Sequence, residues 1–266
     1  MCGAGVLPAR VAREAKRRGF RIVAFAFGDT PGLDGTVDRL VPASVADIAA
    51  VLAGLRAERV SAAVFCGRLA ARELLQTRGD AEGEALVARG GDGLSDAGLL
   101  QGVVATLADL GIEVLDQRPF FGDWLTRGGR LGRHDATEAE RADVARAFRI
   151  ARRLAESGVG QTVVVRRGRA AAVEASEGTT ETIRRGLALA GPGAVVVKAV
   201  APDNDYRFDV PSVGPETLEA MAAGGATVLA IETGRVLVLE RERAVELADR
   251  AGIALVGVEG EPGGGA

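Results

Sequence analysis

The stretch "KAVAPDNDYRFDVPSVGPE" gathers the residue types best suited to chemistry. Lys198 interrupts an apolar run, and Asp205, Arg207 and Asp209 follow at alternate positions. If that segment continues extended, the three share one face while Phe208 and Val210 share the other. Two carboxylates flanking an arginine, just ahead of a helix opened by Gly214 and Pro215, suit a hard cation held against phosphate. A structural Asp–Arg pair accounts for the same residues equally well. Lys198 and Lys16 are the only lysines in a chain that otherwise uses arginine. A compact ammonium suits phosphate, and a strand-end lysine reaching out to solvent is the alternative.

Two other motifs offer oxygen ligands or amide groups at strand-to-helix junctions, where α/β proteins commonly bind ligands. "AVEASEGTTETIRRG" puts Glu174 near a strand end and Glu177, Gly178 and Thr179 on the turn into a helix. Thr179 or Thr180 can cap that helix while its free N–H groups face outward. A capped helix with solvated acids is the plainer account. "GAGVLP" before a helix can cradle a phosphate on its backbone N–H groups. It is not G-x-G-x-x-G, and a tight strand-to-helix turn explains it as well.

Scarcity narrows the chemistry. The single histidine, His134, excludes a site built on several histidines, and Cys2 and Cys66 cannot supply a structural zinc. No G-x-S-x-G accompanies His134, which lies in a polar segment and reads as a solvated linker residue. Any metal would have oxygen ligands, magnesium best of all. A net charge of -3 gives no support to a nucleic-acid partner. No run approaches the roughly 18 apolar residues of a spanning helix, and the start lacks the charge order of a signal peptide. With two cysteines and no scaffold of disulfides, a soluble cytoplasmic protein is expected.

These residues need elements to hold them. "RIVAFAFG", "SAAVFCG" and "GIEVLD" read as buried strands alternating with helices over residues 9–18, 45–57 and 97–110. That alternation predicts a parallel sheet covered by helices, with no strand ahead of "GAG". Residues 78–95 read as an exposed loop or short helix. The glycine- and arginine-rich "DWLTRGGRLGRHD" marks a boundary, giving an N-terminal domain over 1–125, a linker over 126–136 and a C-terminal domain over 137–266. The latter opens with a helix whose capping box is Thr137 and Glu140 and whose end is Gly158. A strand pair turning at Arg167 and Gly168 follows, then a helix, the strand "AVVVKAV", a helix over 215–223 and "TVLAIETGRVLVLE". Hairpins mixed with helices predict a mixed sheet, and the tail "EGEPGGGA" is expected to be disordered.

Taken in order, "GAGVLP", "FCGR", "GGRLG", "VEASEGT", "VKAVAPDNDYRFDVPSVG" and "TVLAIETGRVLVLER" resemble the UDP-2,3-diacylglucosamine pyrophosphatase family of lipid A biosynthesis, of the alphaproteobacterial type. The resemblance covers essentially the whole chain. It implies an α/β protein with a Rossmann-like parallel-sheet N-terminal domain, a C-terminal α/β domain with a mixed sheet, and a ligand cleft between them. It further implies a magnesium-dependent hydrolase cleaving UDP-2,3-diacylglucosamine to UMP and 2,3-diacylglucosamine 1-phosphate (lipid X), with peripheral contact at the cytoplasmic face of the inner membrane. The family's catalytic aspartate falls on Asp209 and a substrate-cleft position on Asp205; on their own chemistry Asp205 and Asp209 are the candidate metal ligands. Substrate-binding positions fall on Gly3, Ala4, Gly67, Glu174, Glu177, Gly178, Thr179, Lys198, Arg207 and Gly214. A non-catalytic nucleotide-sugar or lipid binder of the same fold is the alternative. Three departures stand out: the strand before the glycine loop is lacking, Asn204 replaces a glutamine, and Arg68 replaces a smaller polar residue.

Overall fold

The structure, a computed structural model, describes residues 1–68, 80–89 and 96–260. Contacts divide the chain into two units: Met1–Gly122 with Asp205–Asp209, and Asp123–Asn204 with Val210–Ala266.

In the first unit, helix α1 (Leu7–Arg17) buries Pro8, Val11, Ala12 and Ala15, the i, i+3, i+4, i+7 stripe of an amphipathic helix. Lys16 and Arg17 complement the dipole at its C-terminus. Strand β1 (Val23–Ala26) pairs in parallel with β2 (Arg39–Pro42); after helix α2 (Ile48–Ala57), β3 (Ala62–Ala63) pairs in parallel with β4 (Glu113–Val114). Phe25, Val51, Leu55, Leu107 and Ile112 form the core beneath them. Helices α3 (Ala81–Arg89) and α4 (Asp96–Asp109) precede β4. Residues 78–79 and 90–95 of the expected loop, and 261–266 of the expected disordered tail, lie outside the described residues.

The strands found are thus two parallel pairs, and the continuous Rossmann-like sheet that was expected is not described. The position ahead of the glycine loop is nevertheless not bare. Cys2 makes single parallel bridges to Ala26 on one side and Cys66 on the other. Below it, a cavity of about 440 Å³ remains between β1 and residues 61–64, lined by Val23, Phe25, Leu55, Val60 and Phe120 among others.

The second unit is built on one six-stranded sheet. Its strands are β5 (Gly129–Arg130), β6 (Thr162–Arg166), β7 (Arg169–Val173), β8 (Val195–Lys198), β10 (Val228–Glu232) and β12 (Ala254–Val258), in the order β5-β12-β10-β8-β6-β7. β8, β10 and β12 are parallel; β5 and β6 run antiparallel to their neighbours, and β6 and β7 form the expected hairpin. This is the mixed sheet that the sequence indicates. Its central strands β8 and β10 are apolar up to their last residues, Lys198 and Glu232, because both faces are covered. Helix α5 (Glu138–Glu156) lays Val144, Ala147 and Ala151 on Val163, Val165, Val195, Val197 and Val228. Helix α6 (Thr179–Ala190) lies against β6 and β7, so close that a Cβ on Gly186 would stand 2.6 Å from Val164.

One local expectation changes. The supposed linker supplies an edge strand, because Leu131 N–H bonds to Leu255 O beside the β5–β12 pair. Within "TVLAIETGRVLVLE", β11 (Leu237–Val238) leaves β10 and pairs in parallel with β9 (Ser212–Val213). The latter precedes helix α7 (Pro215–Gly224), while α8 (Arg241–Ala251) leads into β12. Among the described residues, no helix is long and apolar enough to cross a membrane.

Candidate functional site

Half of the candidate residues belong to the second unit, where Glu174 and Thr179 meet Lys198. β8 ends on this lysine, whose Nζ donates to Thr179 Oγ1 at 2.7 Å. Thr179 Oγ1 in turn donates to Glu174 Oε1 at 2.9 Å and lies 3.4 Å from Thr162 Oγ1. The Gln161 N–H donates to Glu174 Oε2 at 3.1 Å. Lys198 and Glu174 are only 6% and 8% exposed, so this is a buried cation and anion bridged by a hydroxyl. Burial alone would push the Glu174 carboxyl up. The Lys198 ammonium and the hydrogen bonds from Thr162, Thr179 and Gln161 outweigh it and hold the group below the ordinary carboxylate range.

Thr179 therefore does not cap α6, as its sequence position suggested. The N-cap is Gly178, at φ 83°, and no side chain caps the helix. The threonine hydroxyl is engaged by Lys198 and Glu174, and Glu177 turns away to accept the Ala175 N–H at 3.1 Å and the Arg185 guanidinium. Glu177's own backbone N–H, Arg185 and the Ala175 amide bring its carboxyl down to about 2. The first-turn N–H groups of α6 have no intrahelical acceptor and stand next to Lys198's partner, an arrangement that suits an anion. Gly214 begins α7 ahead of Pro215, and a Cβ there would stand 3.2 Å from Leu239.

The other half belongs to the first unit. Residues 205–209 are not extended. The N–H groups of Phe208 and Asp209 both bond to Asp205 O, at 3.1 and 3.0 Å, which coils the segment into a single turn. Asp205 and Asp209 are exposed. Arg207 lies across Asp205, with Nε 2.9 Å from Oδ1 and Nη2 2.7 Å from Oδ2, and its side-chain hydrogen bonds, helped by its backbone N–H and its charge, hold the Asp205 carboxyl below the ordinary range. The turn is seated by residues that sequence reading missed. Gln117 is 1% exposed; its N–H bonds to Tyr206 O at 3.2 Å and its Nε2 to Arg207 O at 3.3 Å. The Arg118 guanidinium lies 4.2 Å from the centre of the Tyr206 ring, and Phe208 packs on Phe65 at 5.2 Å. The signal for them is faint: "DQR" sits next to the strand "GIEVLD", as strand-end polar residues often do.

Gly3, Ala4 and Gly67 come together in the first unit as well, but not as a phosphate cradle. The N–H groups of Gly3, Ala4 and Gly5 donate to the carbonyls of Cys66, Arg68 and Asp29 at 2.8, 3.0 and 2.9 Å. Gly67 has φ +86°, and a Cβ on it would stand 2.5 Å from Gly3 O. Gly67→Ala is expected to destabilise the protein by about 2 kcal/mol or more through backbone strain and that clash. The readout is a thermal midpoint lowered by about 4–8 °C.

Could these residues hold magnesium? Among the described residues, no three acid, histidine or cysteine side chains gather as a cation cage. Asp205 and Asp209 lie four residues apart on one turn, and Asp205 already accepts from Arg207. Asp205 and Asp209 would be the residues to hold such an ion, which would have to take its remaining oxygens from water and phosphate, as Mg²⁺ commonly does.

Comparison with known proteins divides the chain near the same point, with residues 205–209 on the C-terminal side. Residues 1–124 match the model of the LpxI N-terminal domain, and residues 127–256 that of the LpxI C-terminal domain. The UDP-2,3-diacylglucosamine pyrophosphatase LpxI of Caulobacter vibrioides is 30% identical over 275 residues, 97% of this chain and 96% of the relative.

Proposed function

Because this chain belongs to the LpxI family, we propose that it hydrolyses the pyrophosphate bond of UDP-2,3-diacylglucosamine, in lipid A biosynthesis. The observation that carries this reading is the match along nearly the whole length of a relative bearing that activity in its name. The products are UMP and 2,3-diacylglucosamine 1-phosphate. In this reading the first unit, with its parallel strands alternating with helices, is the Rossmann-like half of the enzyme, which works in the cytoplasm and meets its lipid substrate at the inner membrane.

The residue chemistry agrees with the reaction. A pyrophosphate carries about two negative charges that repel an attacking water, so a hydrolase needs fixed positive charge nearby. Lys198, kept rigid by Thr179, supplies it, and the uncapped start of α6 adds amide donors. Asp209 orients water or holds metal; Asp205 and Arg207 keep the turn's charges in place. Magnesium bound at Asp205 and Asp209 would neutralise phosphate oxygens.

The test is release of UMP from UDP-2,3-diacylglucosamine with magnesium and with EDTA. Turnover with magnesium that falls at least a hundredfold in EDTA, and returns on adding magnesium, is the expected result. Equal turnover in both would remove the metal from the proposal. Binding without turnover by a folded protein would replace the hydrolase with a binder.

A further inference from the structure

Where the chain leaves β8 it is gripped by a buried carboxylate and two arginines that belong to neither cluster. Glu232, the last residue of β10, is 3% exposed. Its Oε2 accepts the Val200 N–H at 2.8 Å and its Oε1 accepts Arg152 Nη2 at 2.6 Å. Arg235, on the turn after β10, brings Nε to 3.6 Å from the same Oε1. Both arginines then reach the main chain of one stretch. Arg152 donates to Val200 O, and Arg235 to Ala201 O and, at 3.1 Å, to Pro202 O. The fit is tight: a Cβ on Gly260 would stand 2.8 Å from Arg152 Nη2 and 3.2 Å from Glu232 Oε1.

A buried ion group like this adds little net stability over well-packed apolar side chains, since desolvation offsets much of the attraction. What it supplies is direction, because a guanidinium presents its donors in a rigid fork. One carboxylate here sets two such forks and one amide, all on residues 200–202. Just beyond them the chain passes from the second unit to the first, between Asn204 and Asp205, and it returns after Asp209. The gripped stretch is thus the approach to the turn carrying Asp205, Arg207 and Asp209.

We propose that Glu232, acting through Arg152 and Arg235, is a positioning residue for the hydrolysis: it fixes the path of residues 200–204 and thereby the placement of Asp209. The inference rests on the role given to Asp209 above.

Glu232→Gln tests it, since the amide keeps the length and an acceptor for Val200 while removing the charge that orders the arginines. With UDP-2,3-diacylglucosamine as substrate, kcat is expected to fall about ten- to a hundredfold, the scale of a misplacement near 1 Å, with KM within about threefold. Hydrogen exchange at the Phe208 and Asp209 amides should speed up while the amides of β8 and β10 stay protected. Arg235→Met, on a less buried side chain, should show the same pattern more weakly, and it serves if Glu232→Gln does not fold. Unchanged kcat and unchanged exchange at 208–209 overturn the inference. So does a loss of kcat that follows a general loss of protection across β8 and β10, which marks a structural role only. Asp209→Ala, assayed alongside, separates the two readings: if it retains wild-type turnover, the role of Asp209 falls and this inference with it. If it is inactive while Glu232→Gln is normal, this inference falls alone.

Discussion

Asp209→Asn is expected to abolish most of the turnover, by about 10²- to 10⁴-fold, the range for removing a group that moves a proton or orients water. The affinity for UDP-2,3-diacylglucosamine stays within a few-fold. The substitution spares the fold because the bond from the Asp209 N–H to Asp205 O belongs to the backbone, and because the side chain is exposed. Asp209→Glu, which keeps the charge but moves it by one methylene, loses most of the rate as well, as expected for a group whose position matters. Steady-state UMP release together with substrate titration by calorimetry checks this. An Asp209→Asn protein that turns over at more than a tenth of the wild-type rate would place the chemical step elsewhere.

The second large effect concerns Lys198. Lys198→Met removes the buried cation that faces Glu174 through Thr179, and leaving one member of a buried pair alone costs about 3–5 kcal/mol near neutral pH. Activity falls too, by about 10²- to 10³-fold, because the charge that would stabilise phosphate is gone. The pH dependence identifies the cause. In the wild type the folded-state Glu174 pKa lies below its unfolded value, so the pair's contribution is present above about pH 4.3 and is lost as the pH falls through the folded value. In Lys198→Met only the hydrogen bonds from Thr162, Thr179 and Gln161 still oppose burial, so the carboxyl rises and Glu174 takes a proton at higher pH. The stability gap between variant and wild type is therefore widest near pH 8 and narrows towards pH 4. Urea denaturation at the two pH values measures it. A gap independent of pH would mean that Lys198 and Glu174 are not coupled.

Much of the second unit is legible in the order of its residues, since the relevant signals are local. Three consecutive buried valines in β8, the Thr137–Glu140 capping box of α5 and the β6–β7 turn at Arg167 and Gly168 each act within a few residues. The residue order also places Lys198 at a strand end, Glu174 beside a strand and Asp209 ahead of a helix opened by Gly214 and Pro215. The remaining features depend on contacts between distant parts of the chain. The alternation in "DYRFDV" fits a strand, but Gln117 and Arg118, about ninety positions away, hold the segment as a turn. Thr179 looks like a cap until Lys198 and Glu174 take its hydroxyl. The glycine loop looks open to an anion until Cys66, Arg68 and Asp29 engage its amides. Nor does any local pattern announce Glu232 with its two arginines, whose bonds reach from α5 and β10 to residues 200–202. The physical reason is one of scale. Local preferences amount to tenths of a kcal/mol per residue, whereas a buried polar group must find a partner or lose about 1–3 kcal/mol. That partner is set by the fold, at whatever distance along the chain.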